Sequence, residues 1–296
     1  MTSTASETTT RAYTGADIRV LEGIEAIRTR PGMYIGSTGV TGLHHLIWEA
    51  LDNATDEAIA GYGQHIWVEV DRDGWVTVRD EARGIPFDPK AVNGKARPTA
   101  TVIMTVPHSG GKFEAGAYKT AGGLHGVGAT VINALSERLE LTIWRDGRQF
   151  SQTFTRGVPG KHRIVPCEPD RHGTQLRWRF DPEIFADPAI GYQRDAIESR
   201  MRAAAYLNRG ITYHLAIWDD DAGAMVECAF FSERGLVDYV DELRPRDRDS
   251  VPVFREPFAA SDERDGVLVE VAVQPNRGER TRIVSCRSWR PTSTAT

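Results

Sequence analysis

The chain has 296 residues, 40% of them apolar, and a formal net charge of −5. That length can bury a large core and make two domains, and the acidic balance argues against a protein coated in nucleic-acid-binding cations. No apolar run reaches the ~18 residues of a membrane helix, and the polar start MTSTASETTTR has no apolar core of a secretory signal. The expectation is a cytoplasmic protein. Cys167, Cys228 and Cys286 stand far apart with no CxxC pair, so neither a disulfide nor a zinc site is expected.

Residues 1–17 are Ser/Thr-rich and read as a flexible arm. From Gly42 to Ala60, Leu43, Ile47, Ala50, Ala54 and Ala58 fall on one helical face, and Gly61 follows as a stop. IWVEV (66–70) and WVTVR (75–79) alternate with period two around Asp73-Gly74, a hairpin signal, and LELTIW (139–144) and RQFSQTF (148–154) repeat it around Asp146-Gly147. TQLRWRF (174–180) and ITYHLAIW (211–218) read as strands with a helix near 193–208 between them. Hairpins covered by helices predict a two-layer α+β domain, not a doubly wound parallel one. The polar stretch Asp219–Gly223 suggests a domain boundary, giving 18–222 and 223–275, the second with a helix near 233–243 and the strand VLVEVAVQ (267–274). Residues 276–296 lose all periodicity and carry five arginines against one glutamate, which reads as a disordered tail.

Three segments carry chemistry. His45, Glu49 and Asn53 lie four residues apart on the polar side of the first helix. The plain alternative is a solvated face, but a carboxylate beside an imidazole can hold and deprotonate a water, and an amide oxygen one turn on suits Mg²⁺. Next, AGGLHGVGAT (121–130) leaves backbone amides uncovered ahead of the apolar VINAL, and SGGKF (109–113) adds a cation; both could be simple glycine loops. Finally, DEARGIP (80–86) ends a strand on an acid and turns. Asp80 can accept from an exocyclic amine, and Gly84, Ile85 and Pro86 can line a flat ring, though an acid before a turn is common.

The order of these segments is similar to that of the nucleotide pocket in a known class of ATPases. VLEGIEAIRTRPGMYIGS (20–37), GLHHLIWEALDNATDEAIAG (42–61), the GIP turn, VPHSGGKF (106–113) and GGLHGVG (122–128) resemble the ATPase region of the gyrase B group of type IIA topoisomerases, within the GHKL class of ATPases. The resemblance runs from about Tyr13 to Gln274. It implies the two-layer GHKL (Bergerat) sandwich with a mixed sheet, followed by an incomplete transducer-like α/β domain, with ATP and Mg²⁺ as cofactors. Glu49 would be the general base, assisted by His45, and Asn53 the Mg²⁺ ligand. Asp80 would bind the adenine amino group, seconded by Thr174, with Gly84, Ile85 and Pro86 lining the base and Arg83, also a nucleotide-site residue, pairing Glu57 at the rim. Gly111, Lys112, Tyr118, Leu124, His125, Gly126, Val127 and Gly128 would form a lid over the phosphates. Tyr13 and Ile18 would belong to an arm that embraces a second copy in an ATP-dependent dimer. Arg145 would sit at the outer lip, where aminocoumarins compete with ATP in the family.

Two departures from the family pattern stand out. The usual Asp-Asp-Gly-Arg-Gly signature is here Asp80-Glu81-Ala82-Arg83-Gly84. If Ala82 needs a left-handed backbone it costs about 1–2 kcal/mol; if not, almost nothing. Second, no lysine follows Lys161, whereas the family's second domain supplies one to the γ-phosphate. The tail therefore reads as a C-terminal truncation. The gyrase A-type partner protein and DNA would be engaged only through regions beyond it, so DNA cleavage by this chain alone is not expected. The alternative to an ATPase module is a non-hydrolytic nucleotide- or aminocoumarin-binding paralogue, acting as regulator or decoy.

Overall fold

The computed structural model describes residues 21–92, 94–109, 126–187, 189–243, 251–264, 267–277 and 282–289. In chain order the elements are α1 (Gly23–Thr29), α2 (Gly32–Ile35), α3 (Val40–Ile59), β1 (His65–Val70), β2 (Trp75–Asp80), β3 (Pro89–Val92), β4 (Lys95–Pro98), α4 (Thr99–Thr105) and α5 (Gly128–Ala134). Then come β5 (Ser136–Arg145), β6 (Arg148–Thr155), β7 (Val158–Pro166), β8 (Gly173–Phe180), α6 (Arg194–Leu207), β9 (Thr212–Asp219), β10 (Ala224–Phe230) and α7 (Leu236–Glu242). The last part holds β11 (Val251–Pro252), β12 (Phe258–Arg264), β13 (Val267–Gln274), β14 (Asn276–Arg277) and β15 (Arg282–Trp289).

One eight-stranded sheet, ordered β10-β9-β1-β2-β8-β5-β6-β7, organises the larger unit. All its pairs are antiparallel except β1 with β9, so the sheet is mixed as expected. Alternation dictates its faces: Ile66, Val68 and Val70 of β1 and Val76 and Val78 of β2 are buried in the core cluster with Leu43, Leu46, Ile47 and Leu51 of α3. The sheet and its covering helices form two layers.

Turn chemistry sets the registers. Asp71 Oδ1 accepts from Asp73 N and Trp75 N, both at 2.9 Å, closing the β1–β2 hairpin with Gly74 at φ +77°. Asp146 and Gly147 both have positive φ, the two-residue geometry whose twist matches a hairpin. Arg156 and Gly157 do the same between β6 and β7. Arg-Gly is a weak turn signal, and β7 is exposed along almost its whole length with Pro159 and Gly160 inside, so the alternation that marks a strand is absent there.

The stretch Asp219–Gly223 is not a boundary: it joins β9 to β10, and β10 is an end strand of the same large sheet. A separate small cluster begins later, where Leu236 and Val240 of α7 pack on Ala272 of β13. There β13 is flanked by β12 and β15. The pairing of β15 runs from Val267↔Trp289 to Gln274↔Arg282, so the disordered reading of residues 276–296 does not hold for 282–289. Arginine and serine interrupt its apolar positions, which hid the period. Among the described residues no helix is long and apolar enough to cross a membrane.

Asp181, just after β8, is 0% exposed and ties several elements together. Its Oδ2 accepts from Arg28 Nη2 of α1 at 2.7 Å and forms an ion pair with Arg156, whose Nε lies 3.0 Å away, and its Oδ1 accepts from Glu183 N at 3.0 Å. Arg28 also donates to Ala134 O at the end of α5. Removing the carboxylate strips two partly exposed guanidiniums and one amide of their acceptor, so Asp181→Ala should lower stability by about 2–3 kcal/mol in urea denaturation.

Candidate active site

Helix α3 presents two unlike faces. His44 is 3% exposed; its Nδ1 donates to Val40 O at 2.8 Å and its Nε2 accepts from Gln193 N at 2.9 Å, so both ring nitrogens are used in holding the core. The carbonyl can only accept, which fixes that tautomer. His45, next in sequence, points the other way, with Nδ1 3.6 Å from Glu49 Oε1. Asn53 follows one turn beyond Glu49 on the same face. Asp52 leaves this group, because Arg200 of α6 binds its carboxylate at 3.0 Å.

Glu49 meets the glycine segment directly. A methyl group added at Gly128, the first residue of α5, would collide with the Glu49 carboxylate. Only glycine lets that carboxylate lie against the backbone. Gly126 has φ +61° and leads through Val127 into α5. Helix α5 is tied to α4 by Thr130 Oγ1 donating to Ile103 O (2.9 Å) and Asn133 Nδ2 to Met104 O (2.8 Å). Gly128 is thus brought to Glu49, with Gly126 and Val127 just before it in the chain. Gly111, Lys112, Tyr118, Leu124, His125, Tyr13 and Ile18 lie outside the described residues.

The Asp80 turn is pinned from several directions. Asp80 Oδ1 accepts from Ala82 N at 2.9 Å and Thr174 N at 3.1 Å. Burial pushes the Asp80 carboxyl up to about 6; those two amides and Arg79 pull it down, while the negative charge of Glu57 adds to the rise. Ile85 N donates to Thr174 Oγ1 at 3.2 Å, and Arg145 Nη1 to Gly84 O at 2.8 Å. Arg145 is therefore a strut of the turn. Arg83 forms a two-bonded pair with Glu57, both bonds 3.0 Å, and its guanidinium lies 3.9 Å from the Tyr62 ring centre. That pair fastens the end of α3 to the turn. Ile85 packs against the core and Pro86 is exposed.

His172 and Gly173 were not singled out by sequence reasoning. His172 Nδ1 donates to Ala82 O at 2.8 Å. Gly173 has φ +129°, and a side chain there would strike the Asp80 carbonyl. Their one sequence signal is adjacency to Thr174 in the stretch HGT.

Comparison with known proteins accords with this arrangement. Residues 38–184 match the family described as histidine kinase-, DNA gyrase B-, and HSP90-like ATPase. The chain belongs to that family. It is 42% identical over 273 residues to the DNA gyrase B protein of Staphylococcus epidermidis, covering 92% of this chain and 41% of the relative. The matches to the DNA gyrase B proteins of Enterococcus faecalis (42%) and Staphylococcus aureus (41%) have the same coverage. The 43K ATPase domain of Thermus thermophilus gyrase B, solved with an aminocoumarin, superposes with a TM-score of 0.74 at 35% identity, covering 88% of this chain and 64% of that one. The gyrase B-like ATPase fold therefore extends over most of this chain, and the chain spans 41% of the length of those curated relatives.

Within this ATPase fold, the departure at Ala82 has an answer. Positive φ among the described non-glycine residues occurs at His108, Asp146 and Arg156, so Ala82 sits in ordinary backbone, and its methyl is buried at 2% exposure. Gly84 is the position that needs glycine: φ is +75°, and a side-chain carbon would lie 2.6 Å from Trp144 O. Ala82→Gly should thus cost about 1 kcal/mol through a lost buried methyl and a freer unfolded chain. Gly84→Ala should cost about 3 kcal/mol or more, from strain and overlap together. Denaturant titration of the two variants checks the order.

Proposed function

We propose that this chain is an ATP-binding and ATP-hydrolysing module of the gyrase B type. The observation that carries the reading is the seating of the Glu49 carboxylate against Gly128, on the helix whose end is fastened by Glu57–Arg83 to the Asp80 turn. Base recognition and a hydrolytic carboxylate then share one frame. The Asp80 oxygen not held by backbone amides would accept from the adenine N6 amine, with Ile85 and the Gly84 backbone against the ring. Glu49 would take a proton from water as the water oxygen attacks the γ-phosphorus; the bond from that phosphorus to the bridging oxygen breaks, and ADP departs. His45 is close enough to orient Glu49.

The donor set suits Mg²⁺ that arrives with the nucleotide. Among the described residues no group of three or more His, Cys, Asp or Glu side chains could hold a metal. Asn53 offers one hard neutral oxygen, and phosphates and water would complete the shell, as is usual for this ion. Bound there, Mg²⁺ would neutralise phosphate charge.

By analogy with the longer relatives, the module would serve a type IIA topoisomerase, close against a second copy when ATP is bound, and accept an aminocoumarin in competition with ATP. A gyrase A-type protein and DNA are the partners that such an assembly implies.

Purified chain with Mg-ATP tests the hydrolytic reading. Glu49→Ala should abolish turnover, a loss of at least about 100-fold, with ATP affinity changed only a few-fold. Tight binding with background turnover that Glu49→Ala leaves unaltered would instead favour a non-hydrolytic nucleotide-binding module. A second outcome follows from Asp80. Its carboxyl titrates near 6 when folded, so the charged acceptor is present above that pH and lost below it. ATP affinity should hold from pH 8 to 7 and fall as pH drops through 6, and this acid limb should be missing in Asp80→Asn.

A further inference from the structure

We propose that His172 is a positioning residue for adenine, acting through the Ala82 carbonyl; the proposal rests on the reading of Asp80 as the adenine contact. A carbonyl oxygen only accepts, so Nδ1 of His172 must carry the proton of their 2.8 Å bond. The neutral Nδ1–H tautomer and the imidazolium both donate, so the bond survives acid and is separate from the titration of Asp80.

The position of this bond gives it leverage. Ala82 is doubly committed: its N donates to Asp80 Oδ1, and its O accepts from His172. The peptide units around Ala82 thus link the imidazole to the carboxylate that would read the base. The neighbours reinforce the grip, since Gly173 packs its Cα onto the Asp80 and Glu81 backbone and Thr174 N donates to Asp80 Oδ1. His172 and Gly173 therefore hold the Asp80–Ala82 backbone, and Thr174 holds the Asp80 carboxylate, at three successive points of one strand end. Arg145, at the end of β5 next to β8, holds Gly84 O. Glycine, the usual residue at the position of Ala82, would leave that peptide freer to rotate. Alanine restricts it, and His172 supplies the bond that fixes its direction.

A mere structural role and a positioning role differ in what they move. Loss of the clamp should let Asp80 turn away from the amine without disturbing the phosphate side, where Glu49, Asn53 and Gly128 stand on other elements. Two variants of similar shape separate the cases. In His172→Asn the amide Nδ2 takes the place of Nδ1 and still donates; His172→Leu fills the same space with no donor. The measurements are dissociation constants for Mg-ATP and for inorganic tripolyphosphate, with thermal denaturation alongside.

The expected result is a loss of about three- to tenfold in ATP affinity for His172→Leu relative to His172→Asn. Asn should stay near the parent chain, and tripolyphosphate should bind all three alike. Equal ATP affinities in the two variants overturn the proposal, and so does a loss shared equally by ATP and tripolyphosphate. Asp80→Asn is run beside them. If it leaves ATP affinity unchanged, the adenine reading itself fails; if it weakens ATP while His172→Leu matches His172→Asn, only the clamp fails.

Discussion

A carboxylate in a poorly solvated place has to be held, and the hold on Asp80 shapes this molecule's site. Asp80 ends β2 in the middle of the large sheet, where burial alone would favour its neutral form. Two backbone amides on one oxygen offset part of that penalty, one from its own turn and one from β8. Because β8 is the neighbouring strand, sheet register and carboxylate geometry are one constraint. A one-residue slip of β8 would take Thr174 N away from Asp80 and turn every alternate side chain to the other face.

The remaining contacts of the site extend that constraint. Helix α3 is oriented by its buried stripe, which packs Leu43, Leu46, Ile47 and Leu51 against the sheet. That packing also aims its polar face, so that Glu49 lands on Gly128. The two-bonded Glu57–Arg83 pair closes the frame between helix and turn. Adjacent histidines show how sharply burial divides roles. His44 is spent on the core with both nitrogens bonded, while His45 faces Glu49. A one-position difference at ~100° per residue is enough to separate them.

Much of this was legible in the sequence because it rests on short-range pattern. The helical period located α3 to within two residues, and Asp-Gly turns located the β1–β2 and β5–β6 hairpins. Glu49, Asn53, Asp80 and the glycines were visible as chemistry. What stayed hidden has specific causes. Strand β7 is exposed and enters through Arg156-Gly157, so neither alternation nor a strong turn dipeptide marks it. The polar turn at Asp219–Gly223 resembles a linker, and only the pairing of β10 with β9 reveals a hairpin. His172 contacts Ala82 from 90 positions away, a relation that no local pattern encodes. The cost of Ala82 depended on the sign of one φ angle, which the residue types alone leave open.

In the proposed function, adenine recognition would depend on Asp80 as an ionised acceptor for the base's amine. Its most direct measurement is the affinity of the chain for Mg-ATP against Mg-inosine triphosphate at pH 8, where only the group at purine position 6 and its neighbouring nitrogen differ. An oxygen facing the carboxylate in place of an amine should weaken binding by about tenfold or more, since a lost charged hydrogen bond becomes a repulsion. Equal affinity for the two nucleotides would contradict it.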